Sequence, residues 1–142
     1  MIPKVFTSLN IPKEDYFMTG SRAMDSEKLN FKVSTSISDY DYVVSIHQRH
    51  HILIWLRENN MVVDMSSYNG GFKFAEGDKQ YNIITAIDIE FKAWKSALDM
   101  IRKLILSDAL YRKAIQDKYL RYSLYEQFRG ICKAALTMGG RL

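Results

Sequence analysis

Between Asp39 and Val44 the chain reads Asp-Tyr-Asp-Tyr-Val-Val, and few local structures accommodate that order of side chains. Strict alternation of acid and aromatic is the period-2 pattern of an extended strand. The β-branched valines that follow continue it, and Tyr40 to Ser45 is predicted to be a strand. Residues i and i+2 point to the same side, so Asp39 and Asp41 present two carboxylates together. Paired hard oxygen ligands suit Mg²⁺ carrying a nucleoside triphosphate. Upstream stands Thr19-Gly20-Ser21-Arg22 at the end of another apolar run. Glycine lets a backbone approach a phosphate closely, and a serine hydroxyl with nearby amides donates to its oxygens.

The rest of the chain reads as α+β. Pro12 to Asp15 is a turn or a single helical turn, acid-rich at its start, and Tyr16 to Thr19 is a short strand. Arg22 to Ser36 is polar and irregular, with a turn of helix or a strand at Phe31 to Val33. From His47 to Asn59 the pattern is helical, with Ile52, Trp55 and Leu56 on one face, Ser45 as N-cap, and Asn59-Asn60 as the stop. Met61 to Thr85 reads as a three-stranded meander, with turns at Asn69-Gly70-Gly71 and Gly77-Asp78. Phe91, Trp94, Leu98, Ile101 and Ile105 then recur at helical spacing. A second helical region runs from about Asp108 to Met138 and stops at Gly139-Gly140. Strands first and helices after argue against an alternating parallel fold. At 142 residues, with no repeat or linker, the expectation is a single domain over 1–142.

Bulk properties remove some classes of function. The single cysteine, Cys132, rules out an intramolecular disulfide and zinc sites built on cysteine pairs, and fits a reducing compartment. No signal-like leader is present, and no apolar run approaches the ~20 residues of a membrane span. The expectation is a cytoplasmic protein with no membrane partner. A net charge of +4 favours an anionic partner only mildly. No serine-histidine-aspartate ordering or nucleophile elbow supports hydrolase chemistry of that kind.

Gly20-Ser21-Arg22, then Asp39-Tyr40-Asp41, then a helix, then a hairpin into Tyr81-Asn82-Ile83-Ile84 is an element order that resembles the palm of the DNA polymerase β-like nucleotidyltransferases. Asn82 to Thr85 with Phe91, Trp94, Lys95 and Ala97 also looks like small nucleotidyltransferase-like proteins of bacteriophages. The resemblance covers residues 16–105, with 106–142 as C-terminal helices. It implies a mixed or antiparallel sheet of about four to five strands with helices on one side. It implies transfer of a nucleoside monophosphate from a triphosphate to an acceptor hydroxyl with Mg²⁺ or Mn²⁺. The acceptor would be RNA, DNA, a protein or a small molecule. Asp39 and Asp41 would bind the metal, and Gly20, Ser21 and Arg22 the nucleotide. The phage likeness makes the compartment the host cytoplasm.

The chain departs from the family in two places. The interval between Ser21 and Asp39 is longer than usual. The family also sets a third carboxylate, general base and second-metal ligand, on a strand beside the Asp-x-Asp strand. If Tyr81 to Thr85 is that strand, the position holds Asn82, whose neutral amide accepts no proton. Asp64 is the alternative if its strand adjoins Tyr40 to Val44; Asp88 more ordinarily caps a helix. Two readings of the same fold stand open, a transferase and a catalytically impaired binding or regulatory module.

Two further groups of residues invite readings. His47, His50 and His51 share a helix face and suggest a metal by spacing, but a solvated face with His51 toward the core is the plainer reading. Tyr111, Arg112, Lys113, Lys118, Tyr119, Arg121, Tyr122, Tyr125 and Arg129 interleave basic and aromatic side chains in the C-terminal helices. That mixture supports a third reading, a small basic nucleic-acid-binding protein.

Overall fold

In the computed structural model, residues 2–24, 39–66 and 71–107 are described, with Glu126, Gln127, Gly130, Ile131 and Ala134. The strands are β1 (Tyr16–Thr19), β2 (Tyr40–Ser45), β3 (Val63–Asp64), β4 (Phe72–Glu76) and β5 (Lys79–Ala86). The helices are α1 (Lys4–Ser8), α2 (Gly20–Met24), α3 (Arg49–Glu58) and α4 (Asp88–Ser107). The sheet has the order β1-β2-β5-β4-β3, and only the β2–β5 pairing is parallel. It is a mixed five-stranded sheet in an α+β architecture.

β2 lies inside the sheet and changes character along its length. Tyr40 and Asp41 are half-buried, whereas Tyr42, Val43 and Val44 are buried. Consecutive buried residues on a strand require cover on both faces. One face carries Tyr42, Val44, Tyr81, Ile83, Phe72 and Phe74, packed against Val5 and Phe6 of α1 and Ile52 and Leu56 of α3. The aromatic rings interlock, with Phe6 edge-on to Tyr42 and Tyr81 stacked on Phe74. The opposite face is covered by α4, where Phe91 meets Phe17 and the Trp94 indole donates to Thr19 Oγ1 at 2.9 Å. Helices therefore lie on both sides of the sheet, which corrects the expectation of helices on one side. The α4 stripe of Trp94, Leu98 and Ile101 is buried as its spacing predicts.

Local signals set the ends of the elements. At the end of α1, Asn10 is left-handed (φ 52), Ile11 N donates to Phe6 O and Asn10 N to Thr7 O. α3 ends in the same way at Asn60 (φ 56), with Met61 N to Leu56 O and Asn60 N to Arg57 O. Both are Schellman closures, in which asparagine tolerates the left-handed turn and an apolar residue beyond it returns to the core. Ser45 Oγ accepts from His47 N at 3.3 Å and caps the 3₁₀ turn leading into α3. Beyond that turn, Ile52 and Leu56 are buried, and His51 is exposed rather than turned toward the core. The meander over residues 61–85 is present as β3, β4 and β5, although β3 is only Val63–Asp64. The polar stretch after Arg22 begins as helix, since α2 starts at Gly20. The expected strand at 31–33, the turn at 69–70 and the helices beyond 108 with their basic-aromatic face lie outside the described residues, apart from the five named above.

The core contains one unpaired polar atom with a measurable consequence. Tyr81 is fully buried, and its hydroxyl has no hydrogen-bond partner among the described residues. A buried unsatisfied hydroxyl costs about 1 kcal/mol or more. Tyr81→Phe keeps the ring and removes the cost, and is expected to raise the melting temperature by about 3 °C. Burial also pushes the Tyr42 and Tyr81 phenols up from their ordinary value. The unfolded chain therefore ionises first, so this contribution is whole below about pH 10 and is lost as pH rises through the folded-state values. The Tyr81→Phe advantage should widen above pH 10, as chemical denaturation at pH 8 and pH 11 would show.

Candidate functional site

The carboxylate of Asp41 sits at the open end of β2 between two strands that fix its neighbours. Thr19 of β1 pairs with it on one side and Asn82 of β5 on the other. The row continues to Lys73 of β4 and Asp64 of β3. Directly paired residues share a face, so one polar residue from each of five strands lies along a single line. Asn82 Nδ2 donates to Asp41 Oδ1 at 3.1 Å. The reversed amide would set two acceptors against each other, so the hydrogen bond fixes which way Asn82 faces.

Gly20 closes the other side of Asp41. It adopts φ +73, a left-handed conformation that side chains rarely take. A Cβ built on Gly20 would fall on Asp41 Oδ2, with the Asp41 carboxyl carbon 3.1 Å away. The glycine is thus required twice, by its backbone and by the close approach of the carboxylate. α4 holds this corner from above, because Arg102 Nη2 donates to Ala23 O at 3.0 Å and Trp94 ties down Thr19.

Asp39 stands one residue before β2, two positions from Asp41. Its Oδ2 lies 3.8 Å from Lys73 Nζ, which reaches across from β4. Nothing local in Phe72-Lys73-Phe74 marks this lysine as more than an ordinary strand residue. A signal for it was present all the same. The two-residue turn at Gly77-Asp78 pairs Glu76 with Lys79, and counting back along the hairpin pairs Lys73 with Asn82.

The other nominated residues fall in different places. Arg22 holds its guanidinium 3.7 Å from the centroid of the Tyr40 ring, a cation–π contact. By alternation that ring belongs to the face opposite Asp39 and Asp41. Ser21 follows Gly20 in α2. Asp64 is on the same face as Asp41 by register, but β5 and β4 intervene, so it is three strand spacings or ~14 Å away. The adjacency that a metal role for Asp64 required is not met. Its carboxylate accepts from the Ser66 hydroxyl and amide at 2.6 and 2.9 Å, which hold it below the usual carboxylate range. Asp88, at the start of α4, meets exposed His47 at 3.1 Å.

The donor set bears directly on a metal. Among the described residues no group of three or more histidine, cysteine or acidic side chains is arranged to hold one unaided. Mg²⁺ is commonly held by one or two carboxylates together with substrate phosphate oxygens. Asp39 and Asp41 fit that role. Where the family resemblance would place a carboxylate for a second ion, the chain has Asn82, which presents an N–H to Asp41. The chain matches no protein-family model and no curated protein. No helix among the described residues is long and apolar enough to cross a membrane.

Proposed function

We propose that this protein is a polymerase-β-type nucleotidyltransferase-like protein that binds a nucleoside triphosphate with one Mg²⁺ or Mn²⁺, and that Asn82 has reduced transfer to a slow residual reaction. One observation carries the reading: Asp41 lies between a left-handed Gly20 and Asn82 of the adjacent parallel strand. This is the arrangement that the resemblance implies, with an amide in place of the third acid.

In this reading Asp39 and Asp41 hold the metal, which would neutralise charge on the phosphates. Gly20 leaves the backbone open to a phosphate beside them. Asn82 keeps Asp41 oriented through its N–H but removes no proton from an attacking hydroxyl. Loss of a positioned base forfeits about 10²–10⁴-fold in rate. The protein then works as a nucleotide-binding module in the cytoplasm, that of a bacterial host.

Labelled nucleoside triphosphates with Mg²⁺ or Mn²⁺, offered with host RNA and protein extracts, test the reading. The expected result is metal-dependent nucleotide binding with only trace transfer, both abolished in Asp39→Ala/Asp41→Ala. Binding unaffected in that variant would remove the acid pair from the site. Rapid transfer by the wild type would show that Asn82 does not limit the reaction.

A further inference from the structure

Lys73 occupies a position with no obvious structural purpose. It lies on the same cross-sheet row as Asn82 and Asp41, on a strand that α1 and α3 support from the other face. Its ammonium stands 3.8 Å from Asp39 Oδ2, beyond the about 2.7–2.9 Å of a charge-assisted hydrogen bond. Both side chains are little more than one-third exposed, at 37% and 36%. The contact is close enough to balance charge and loose enough to be exchanged.

We propose that Lys73 is an exchangeable counter-ion and phosphate ligand of the acid pair. The proposal rests on the nucleotide reading above and adds a residue and a sequence of events to it. Two carboxylates alone repel a triphosphate. In the free protein Lys73 offsets that charge from beside Asp39. A divalent cation held by Asp39 and Asp41 would repel the ammonium by like charge. The flexible four-carbon stem then carries the ammonium to phosphate oxygens lying along the row. Lys73 thus weakens the metal's hold when no nucleotide is present and strengthens the nucleotide's hold when it is.

Two binding measurements on the full chain give effects of opposite sign. Lys73→Met keeps the stem and removes the charge, and as a surface substitution it should leave the melting temperature nearly unchanged. Mn²⁺ alone, titrated by calorimetry, should bind the variant about fivefold more tightly than the wild type. A non-hydrolysable ATP analogue with Mg²⁺ should bind it about tenfold more weakly, the low end for losing a hydrogen bond to a charged group. Lys73→Arg should restore nucleotide binding, since guanidinium also holds phosphate. If the wild type binds the analogue and Lys73→Met binds it equally, the phosphate role is overturned while the nucleotide reading stands. If Mn²⁺ affinity does not rise, the counter-ion role is overturned. If the wild type binds no nucleotide, the reading and the phosphate role fail together, and the Mn²⁺ titration still judges the counter-ion role.

Discussion

Gly20→Ala is expected to cost at least about 2 kcal/mol of stability and to abolish nucleotide binding. The first part comes from the backbone. A residue with a Cβ held at positive φ costs about 1–2 kcal/mol on steric grounds alone. The second part comes from the site, where the new methyl falls on the Asp41 carboxylate. Asp41 must then rotate, which breaks its hydrogen bond from Asn82, or α2 must move, which strains the Arg102 contact to Ala23. A melting temperature lower by about 6 °C is expected. The two parts separate experimentally, because a variant that melts lower yet binds nucleotide normally would show that Asp41 tolerates displacement. An alanine variant matching the wild type in both properties would contradict the close approach itself.

Asn82→Asp is expected to raise transfer by about 10²-fold or more while lowering stability without metal. The new carboxylate would stand within hydrogen-bonding distance of Asp41, where an N–H now donates. Two carboxylates that close do not both ionise readily, so one folded-state value rises above its unfolded value. For such a group, stability is whole below the unfolded value near pH 4 and is lost as pH rises through the folded one. The variant should therefore melt lower at pH 7 than at pH 5, and Mg²⁺ should recover the difference. Gain of transfer with metal-dependent stability would identify position 82 as the vacated base. A variant indifferent to Mg²⁺ and still inactive would place the limitation elsewhere in the site.

The sequence revealed some of this arrangement, for reasons that can be traced to particular residues. β2 follows from alternation, β1 from a short apolar run ending at Gly20, α3 and α4 from apolar spacing, and the stop of α3 from Asn59-Asn60. That Asn82 stands beside Asp41 was an expectation only through the family resemblance, conditional on Tyr81 to Thr85 being the neighbouring strand, and the structure pairs the two residues. Asp64 shows where the reading ends. Its alternation gave the correct face, but strand order depends on contacts between distant segments, and nothing local tells that two strands intervene. The contact of Arg22 with the Tyr40 ring is another feature the sequence does not carry, because it depends on side-chain torsion. The helix on the second face was within reach, since Tyr42-Val43-Val44 is a continuous apolar run that needs cover on both sides.

Asp39 and Asp41, braced by Gly20 and Asn82, are proposed to form a metal-dependent nucleotide site. Its most direct test is the melting temperature of the wild type and of Asp39→Ala/Asp41→Ala, each with ATP alone, Mg²⁺ alone, and both. Ligand at a hundred times its dissociation constant stabilises the folded state by about 2.7 kcal/mol, which is a rise of about 5–10 °C. A rise of that size is expected only for the wild type and only with ATP and Mg²⁺ together. An equal rise in the double variant, or none in the wild type at saturating ATP and Mg²⁺, would contradict it.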